Sequence, residues 1–154
     1  KLVAYTEGRE GVLPEDVQAV CSVQITGKIF DMITDVALGR QKAAMGKYCD
    51  LLALREPPMR ILFLIARQFN QLLVVKELAL TGKGKDEIAK KAGIQPFVAA
   101  KAMSQGKHFR MEELRSYLER CAEAEEAVKT GRLFDKLAVE LLITEFSGRE
   151  DKLR

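Results

Sequence analysis

The stretch PPMRILFLIARQFNQLLVVKELALT, residues 57–81, decides the fold class of this 154-residue chain. Its two prolines stand where the first turn of a helix accepts them, and the residues after them are apolar on nearly all sides. A helix of that kind must be enclosed by other elements, so we expect it at the centre of the domain. Its longest unbroken apolar run, residues 61–66, is far shorter than the ~18 residues that a membrane span needs.

Helical patterns also surround that stretch on both sides. Leucine and alanine outnumber the β-branched valine and isoleucine, and no run alternates convincingly with a period of two. Glycines and prolines stand where such helices would end or begin. Further helices are predicted over residues 14–21, 29–39, 42–54, 86–92, 96–105, 111–130 and 133–146. The fold class is therefore predicted to be all-α, a compact helical bundle.

A linker is expected at residues 22–27, between the short first pattern and the longer one that follows. The part before it cannot form a core alone, and residues 1–8 are typical of the tail of a helix. A compact domain is expected to begin after the linker, and residues 148–154, which lack periodicity, to form a frayed tail. Because the chain begins with Lys1 rather than Met and carries no secretion signal, we expect a piece of a longer protein.

Composition excludes several classes of protein. Hydrophobic residues make up 47% of the chain and charged residues 31%, which suits a packed core and not a disordered chain. The three cysteines, Cys21, Cys49 and Cys121, are odd in number, far apart and embedded in apolar helical patterns. They are predicted to be buried small hydrophobic residues in a reducing cytoplasm, without disulfides or a CxxC metal site.

No arrangement of residues points to catalysis. The single histidine, His108, lies in a loop-like stretch with no serine or cysteine nucleophile pattern nearby. The sequence GKGK at residues 82–85 lacks the spacing, the Lys-Ser/Thr pair and the preceding strand of a phosphate-binding loop. We therefore expect no catalytic residue, no cofactor and no metal, and predict that this chain is not an enzyme.

The distribution of charge is more informative than the net charge of +3. Residues 82–110 contain seven basic and two acidic residues, a local net charge of +5. The basic residues form a candidate surface, facing nucleic acid weakly or facing a partner: Lys83, Lys85, Lys90, Lys91, Lys101, Lys107 and Arg110. An alternative is that residues 85–110 form a helix-turn-helix that binds nucleic acid. The second helix of that motif offers mostly small apolar side chains, which suit packing better than base reading.

One acidic residue, Glu125, interrupts the apolar stripe of the helix predicted over residues 111–130. Its position predicts a buried structural charge that needs a cationic partner. Lys129, one turn later, and Arg67, on the central helix, are the two candidates.

Several stretches together resemble one known family. They are KLVAY (residues 1–5), IFDMI (29–33), ILFLIARQF (61–69), GIQPF (93–97) and EEAVKTG (125–131). Each is weak alone, but their order along the whole chain is similar to that of the delta subunit of the bacterial DNA polymerase III clamp loader.

The resemblance implies a chain of three parts, namely an N-terminal AAA+-like domain, a helical lid and a helical collar. Residues 1–24 would be the end of the lid and residues 27–147 the collar, which packs in a ring with the collars of the ATPase (gamma/tau-type) and delta-prime subunits. Opening of the sliding clamp would belong to the N-terminal domain, which is not represented, and no ATP hydrolysis is implied. The resemblance also implies bacterial cytoplasm, DNA contacted indirectly or weakly, and no membrane.

Overall fold

The structure is a computed structural model that describes the backbone of residues 14–148 and the side chains of residues 25–148. Within that range the chain forms seven α-helices and no strand. They are α1 (Pro14–Ala37), α2 (Gln41–Ala53), α3 (Pro58–Leu80), α4 (Lys85–Ala92), α5 (Pro96–Gly106), α6 (Met111–Lys129) and α7 (Asp135–Ser147). The predicted all-α fold class is confirmed. No helix in this part of the chain is long and apolar enough to cross a membrane.

Local sequence explains where most helices begin and end. Pro58 and Pro96 stand in the first turns of α3 and α5, where a missing backbone N–H costs nothing. Gly93 ends α4 with a φ of 74°, a left-handed conformation that glycine adopts without strain. The N–H of Ile94 then donates to the carbonyl oxygen of Ala89 at 3.0 Å and closes the turn toward α5.

The prediction of a linker at residues 22–27 is wrong, because α1 runs through them without a break. A glycine inside a helix costs only about 1 kcal/mol relative to alanine. Burial of Ile25 and Ile29, on either side of Gly27, offsets that cost. Residues 1–8 and nearly all of the predicted frayed tail lie outside the described residues.

Helix α3 lies at the centre of the bundle, as predicted. It packs against α1, α4, α5, α6 and α7. Its buried residues are Ile61, Leu62, Leu64, Ile65, Gln68, Phe69, Leu72 and Val75. Together they form one broad, largely apolar side of the helix, so α3 depends on the other helices to keep that side out of water.

Four aromatic rings pack against one another in the core. The ring of Phe69, on α3, has its centroid 5.8 Å from that of Phe109, 5.2 Å from that of Tyr117 and 5.5 Å from that of Phe146. Tyr117 and Phe146 pack still closer, with centroids 4.2 Å apart. Because Phe109 precedes α6 and Phe146 ends α7, this aromatic cluster joins three successive elements to α3.

A buried pair of glutamines links α1, α3 and α5. The side-chain nitrogen of Gln105 donates to the carbonyl oxygen of Phe30 at 2.9 Å and to Oγ1 of Thr34 at 2.8 Å. Its side-chain oxygen accepts from Nε2 of Gln68 at 2.9 Å. Gln105 and Gln68 are only 3% and 8% exposed, so these bonds satisfy groups that water cannot reach easily.

Polar contacts also hold α2 in place. The carboxylate of Asp35, buried on α1, pairs with Lys47 on α2, and its second oxygen lies 3.9 Å from Arg40. The hydroxyl of Tyr48 donates to the carbonyl oxygen of Lys136 at 3.0 Å, and burial raises the pKa of that phenol to about 12. Helix α2 is therefore tied to α1 on one side and to α7 on the other.

The prediction that all three cysteines are buried is correct for Cys121 and wrong for Cys49. Cys49 follows the buried Tyr48 on α2, and one residue rotates a helix by about 100°, which carries the thiol to the surface. The side chain of Cys21 lies outside the described part. Burial raises the pKa of the Cys121 thiol to about 12.

Replacement of Phe69 by alanine is expected to destabilise the chain strongly, because it removes the ring that all three other aromatic residues contact. We expect Phe69→Ala to lower the free energy of unfolding by about 3–5 kcal/mol in urea titrations. Phe63→Ala is the matched control, since Phe63 lies on the same helix but is 63% exposed. The control is expected to change stability by less than ~0.5 kcal/mol, and similar losses in both variants would contradict the arrangement.

Replacement of Gln105 by alanine leaves its buried partners on α1 and α3 without the amide that bonds them. We expect Gln105→Ala to lower the free energy of unfolding by about 1–3 kcal/mol. Ser104→Ala changes an exposed neighbour on the same helix and is expected to cost less than ~0.5 kcal/mol. An unchanged thermal midpoint for Gln105→Ala would show that the glutamine pair does not hold these helices together.

The two described cysteines are expected to differ in reactivity because only a thiolate attacks an alkylating reagent. Iodoacetamide at about pH 8 is expected to modify Cys49 in the folded chain and to modify Cys121 only after denaturant is added. Peptide mass mapping reads each of the three cysteines separately. Fast labelling of Cys121 under native conditions would contradict its burial.

Candidate interaction surface

The seven basic residues predicted as a surface lie on α4, on α5 and in the turns beside them. Both helices turn small or branched apolar residues inward, namely Ile88 and Ala89 on α4 and Ala99 and Ala102 on α5. The cations therefore point outward, and all are exposed except the half-buried Lys83. This placement explains how a segment with a net charge of +5 can still contribute to the core.

Two of these cations make contacts within the chain. The ammonium of Lys101 lies 5.7 Å from the centre of the Phe30 ring, within range of a cation–π interaction. The backbone N–H of Arg110 donates to Glu113 Oε1 at 2.9 Å, which caps the first turn of α6, and its guanidinium lies 3.9 Å from the same oxygen. Lys101 and Arg110 therefore both contact other residues of the fold, whether or not a ligand is bound.

The helix-turn-helix alternative has the expected order of elements, α4, a turn at Gly93 and α5. The outward side of α5, however, presents Phe97, Lys101 and Ser104 at intervals of about one turn. Base edges in a major groove are read mainly by arginine, asparagine, glutamine and acidic side chains. One lysine and one serine beside a phenylalanine are a sparse set for that task, so the geometry does not favour this alternative.

An open groove of about 710 Å³ separates α1, α3 and the start of α5. Apolar side chains from each of these helices line it, including Phe30, Leu64 and Val98. The polar lining consists mostly of long side chains, among them Arg67 and Lys101. This groove brings Lys101 of the predicted basic surface next to a residue, Arg67, that the sequence assigned to a different role.

A second surface is apolar and lies along α7. Phe134, which precedes the helix, is 82% exposed. Leu137 and Leu141, on the helix itself, are 42% and 50% exposed. The spacing of three and four residues places them in one row, called here the α7 stripe. Leu141 also lines a second groove, of about 460 Å³, between α6 and α7. A row of large apolar side chains left in water is typical of a protein–protein contact.

The prediction of a buried charge at Glu125 is wrong, because its side chain is 51% exposed. Its carboxylate does lie 3.2 Å from Nζ of Lys129, one of the two predicted partners, but that lysine is 69% exposed as well. The buried face of α6 carries Leu114, Tyr117, Cys121 and Ala124, so Glu125 falls on its edge. Arg67 is exposed and lines the 710 Å³ groove on another part of the surface.

The remaining candidates for chemistry are dispersed. His108 is exposed in the turn between α5 and α6, where its backbone N–H donates to the carbonyl oxygen of Gln105 at 3.2 Å. Among the described side chains, residues 25–148, no group of three or more His, Cys, Asp or Glu could bind a metal ion.

Sequence reasoning missed the exposed aromatic and leucine residues of these surfaces. Helical spacing showed that Phe97, Leu137 and Leu141 belong to helices, but not which side of each helix faces the core. A usable signal exists on α7, where apolar residues at 134, 137, 138, 139, 141, 142, 143 and 146 exceed what one buried side can hold.

Comparison with known proteins gives a consistent result. The family described as DNA polymerase III delta subunit, C-terminal domain, matches residues 26–146. The chain is 30% identical over 152 residues to DNA polymerase III subunit delta of Bacillus subtilis (strain 168), a match that covers 99% of this chain. A solved structure, the Bacillus subtilis DNA clamp loader delta protein, superposes with a TM-score of 0.79 at 29% identity over 95% of this chain.

The chain spans less than half of these relatives, 44% of the curated protein and 43% of the solved one. The match to the family nevertheless extends over most of the chain and includes α3, the aromatic cluster, the basic segment and nearly all of α7. The resemblance that the sequence motifs indicated is confirmed. This chain belongs to the DNA polymerase III delta subunit family and corresponds to its C-terminal domain.

Proposed function

We propose that this chain is the collar of a replicative clamp loader, a module that joins subunits and thereby supports loading of the sliding clamp onto primed DNA. The observation that carries the proposal is the α7 stripe, Phe134, Leu137 and Leu141, on a chain of the delta family. Large apolar side chains exposed in one row lower the free energy of the protein when a neighbouring subunit covers them.

We assign residues 27–147 to the collar, residues 1–24 to the end of the lid and residues 148–154 to a tail. The family match over residues 26–146 supports this division. The break between lid and collar then falls inside α1, so the two parts would be joined by a continuous helix rather than by a flexible linker. Such a joint transmits orientation from one part to the other.

The proposed partners are the ATPase (gamma/tau-type) and delta-prime subunits, through contacts between collars. Contact with the sliding clamp is assigned to the part of the delta subunit outside these residues, and DNA is contacted indirectly or weakly. The proposed location is the bacterial cytoplasm. We assign no catalytic step to this chain, since its described surfaces are apolar or cationic and its single histidine lies exposed in a turn.

The assembly role predicts that charge in the α7 stripe prevents complex formation. The chain would be mixed with full-length ATPase and delta-prime subunits of the same organism and analysed by size-exclusion chromatography with light scattering. A complex of fixed stoichiometry is expected for the unchanged chain. Leu137→Asp with Leu141→Asp is expected to weaken it at least about tenfold, because two apolar contacts are replaced by carboxylates that would be buried.

Leu54→Asp is the matched control, since Leu54 is 58% exposed, lies just after α2 and is not part of the α7 stripe. It is expected to leave the complex intact, and circular dichroism should show equal helix content in all variants. A complex that tolerates both aspartates would contradict the role of the α7 stripe. Failure of the unchanged chain to bind either subunit, together with duplex DNA affinity that falls steeply with salt, would instead favour the helix-turn-helix alternative.

A further inference from the structure

The groove between α1, α3 and α5 has the dimensions and lining of a binding site. Its volume of about 710 Å³ is within the ~300–1,000 Å³ usual for ligand pockets. The half-buried Phe30, Val98 and Ile94 and the buried Leu64 form its apolar walls. Phe97 also lines the groove, and 58% of its surface is exposed in the described chain.

Charge along the groove has one predominant sign. Arg67 and Lys101 line it and are exposed, and neither forms an ion pair with an acidic residue of the described chain. Asp31 is the single acidic residue of the lining, so the cations of the groove outnumber its carboxylates by one. An occupant that complements this surface carries negative charge.

The remaining polar side chains of the lining are those of Thr26 and of three glutamines, Gln68, Gln71 and Gln95. The side-chain nitrogen of Gln68 donates to Gln105, which fixes that amide in the floor of the groove. Gln71 is half-buried and Gln95 is exposed, so their amides are the more accessible ones. Amides that both donate and accept suit the N–H and C=O groups of a peptide backbone. The groove therefore combines apolar walls, two cations and several amides.

We propose that this groove binds a peptide segment of a partner protein that carries an aliphatic or aromatic anchor flanked by aspartate or glutamate. The anchor lies against Phe30, Leu64 and Phe97, and the acidic side chains lie near Arg67 and Lys101. Amides of the glutamines bond the peptide backbone. This site is separate from the α7 stripe and does not depend on assembly of the ring.

A nucleic acid strand is a poorer match for the same groove. A strand presents a phosphate at every nucleotide, and proteins that bind it without sequence preference follow it with a row of cations. Here two cations are accompanied by a carboxylate, Asp31, and by three neutral amides. A short segment with a few acidic residues fits that number of charges better.

The test uses the 154-residue chain and a library of short random peptides displayed on phage. Selection is expected to enrich sequences in which acidic residues flank leucine, isoleucine or phenylalanine. A fluorescein-labelled peptide of the most enriched sequence is then titrated in fluorescence polarisation. Arg67→Glu and Phe97→Ala are each expected to weaken its binding at least about tenfold, the first by charge reversal and the second by loss of the aromatic wall.

Two matched variants separate the groove from the rest of the surface. Lys107→Glu makes the same reversal of charge at an exposed site outside the lining, and Phe63→Ala removes a ring of similar exposure elsewhere on α3. Both are expected to leave affinity within about twofold of the original value. If Lys107→Glu weakened peptide binding as much as Arg67→Glu, the effect would come from the net charge of the chain and not from the groove. That result would overturn the proposal.

Other occupants give different results in the same assay. Enrichment of no peptide, or of peptides without acidic residues, would overturn the proposal. Displacement of the labelled peptide by oligothymidylate at lower concentration than by unlabelled peptide would assign the groove to single-stranded nucleic acid. Displacement by a synthetic peptide of residues 1–13, more strongly than by the selected sequence, would assign it to this chain's own N-terminal segment.

Discussion

Enclosure of α3 is the constraint on which the other features of this domain depend. A helix that is apolar on most sides is stable only when neighbours cover it, and here five helices do so. Phe69 makes the most specific of these packing contacts. Its ring packs against aromatic rings from α6, from α7 and from the turn before α6. The ring of Phe69 therefore ties α6, α7 and the turn before α6 to the central helix.

A bundle built around a filled centre has little space for a reaction site inside it. The core contains few polar side chains, and those of Gln68 and Gln105 bond to each other and to α1. Binding is consequently left to the outer sides of the helices, where apolar residues such as Phe97 and Leu141 remain uncovered. This arrangement is compatible with the assembly role proposed above, since neighbouring subunits contact surfaces and not a cavity.

The sequence alone predicts the helices and the central place of α3, because those depend on local spacing and on apolar content. It fails where tertiary packing outweighs a local signal. Gly27 suggested a linker, yet burial of Ile25 and Ile29 keeps the helix continuous. Glu125 was expected to be buried because its position interrupts the apolar stripe of α6, but the buried side of that helix is rotated toward Ala124, which leaves Glu125 exposed. Spacing defines the buried side of a helix only to within one residue. For the same reason Cys49 was predicted to be buried, although it is Tyr48 beside it that faces the core.

The surfaces were harder to predict than the core for a related reason. A pattern reveals which residues share a side of one helix, whereas a groove needs three helices placed relative to one another. In this domain the glutamine pair sets that placement, since Gln105 bonds both α1 and α3 directly behind the walls formed by Phe30 and Leu64. Because the same residues support the fold and the groove, an occupant that prefers the folded chain adds to its stability by mass action. Stability and the binding proposed for this groove would therefore be coupled, and a change that loosens the glutamine pair would weaken both.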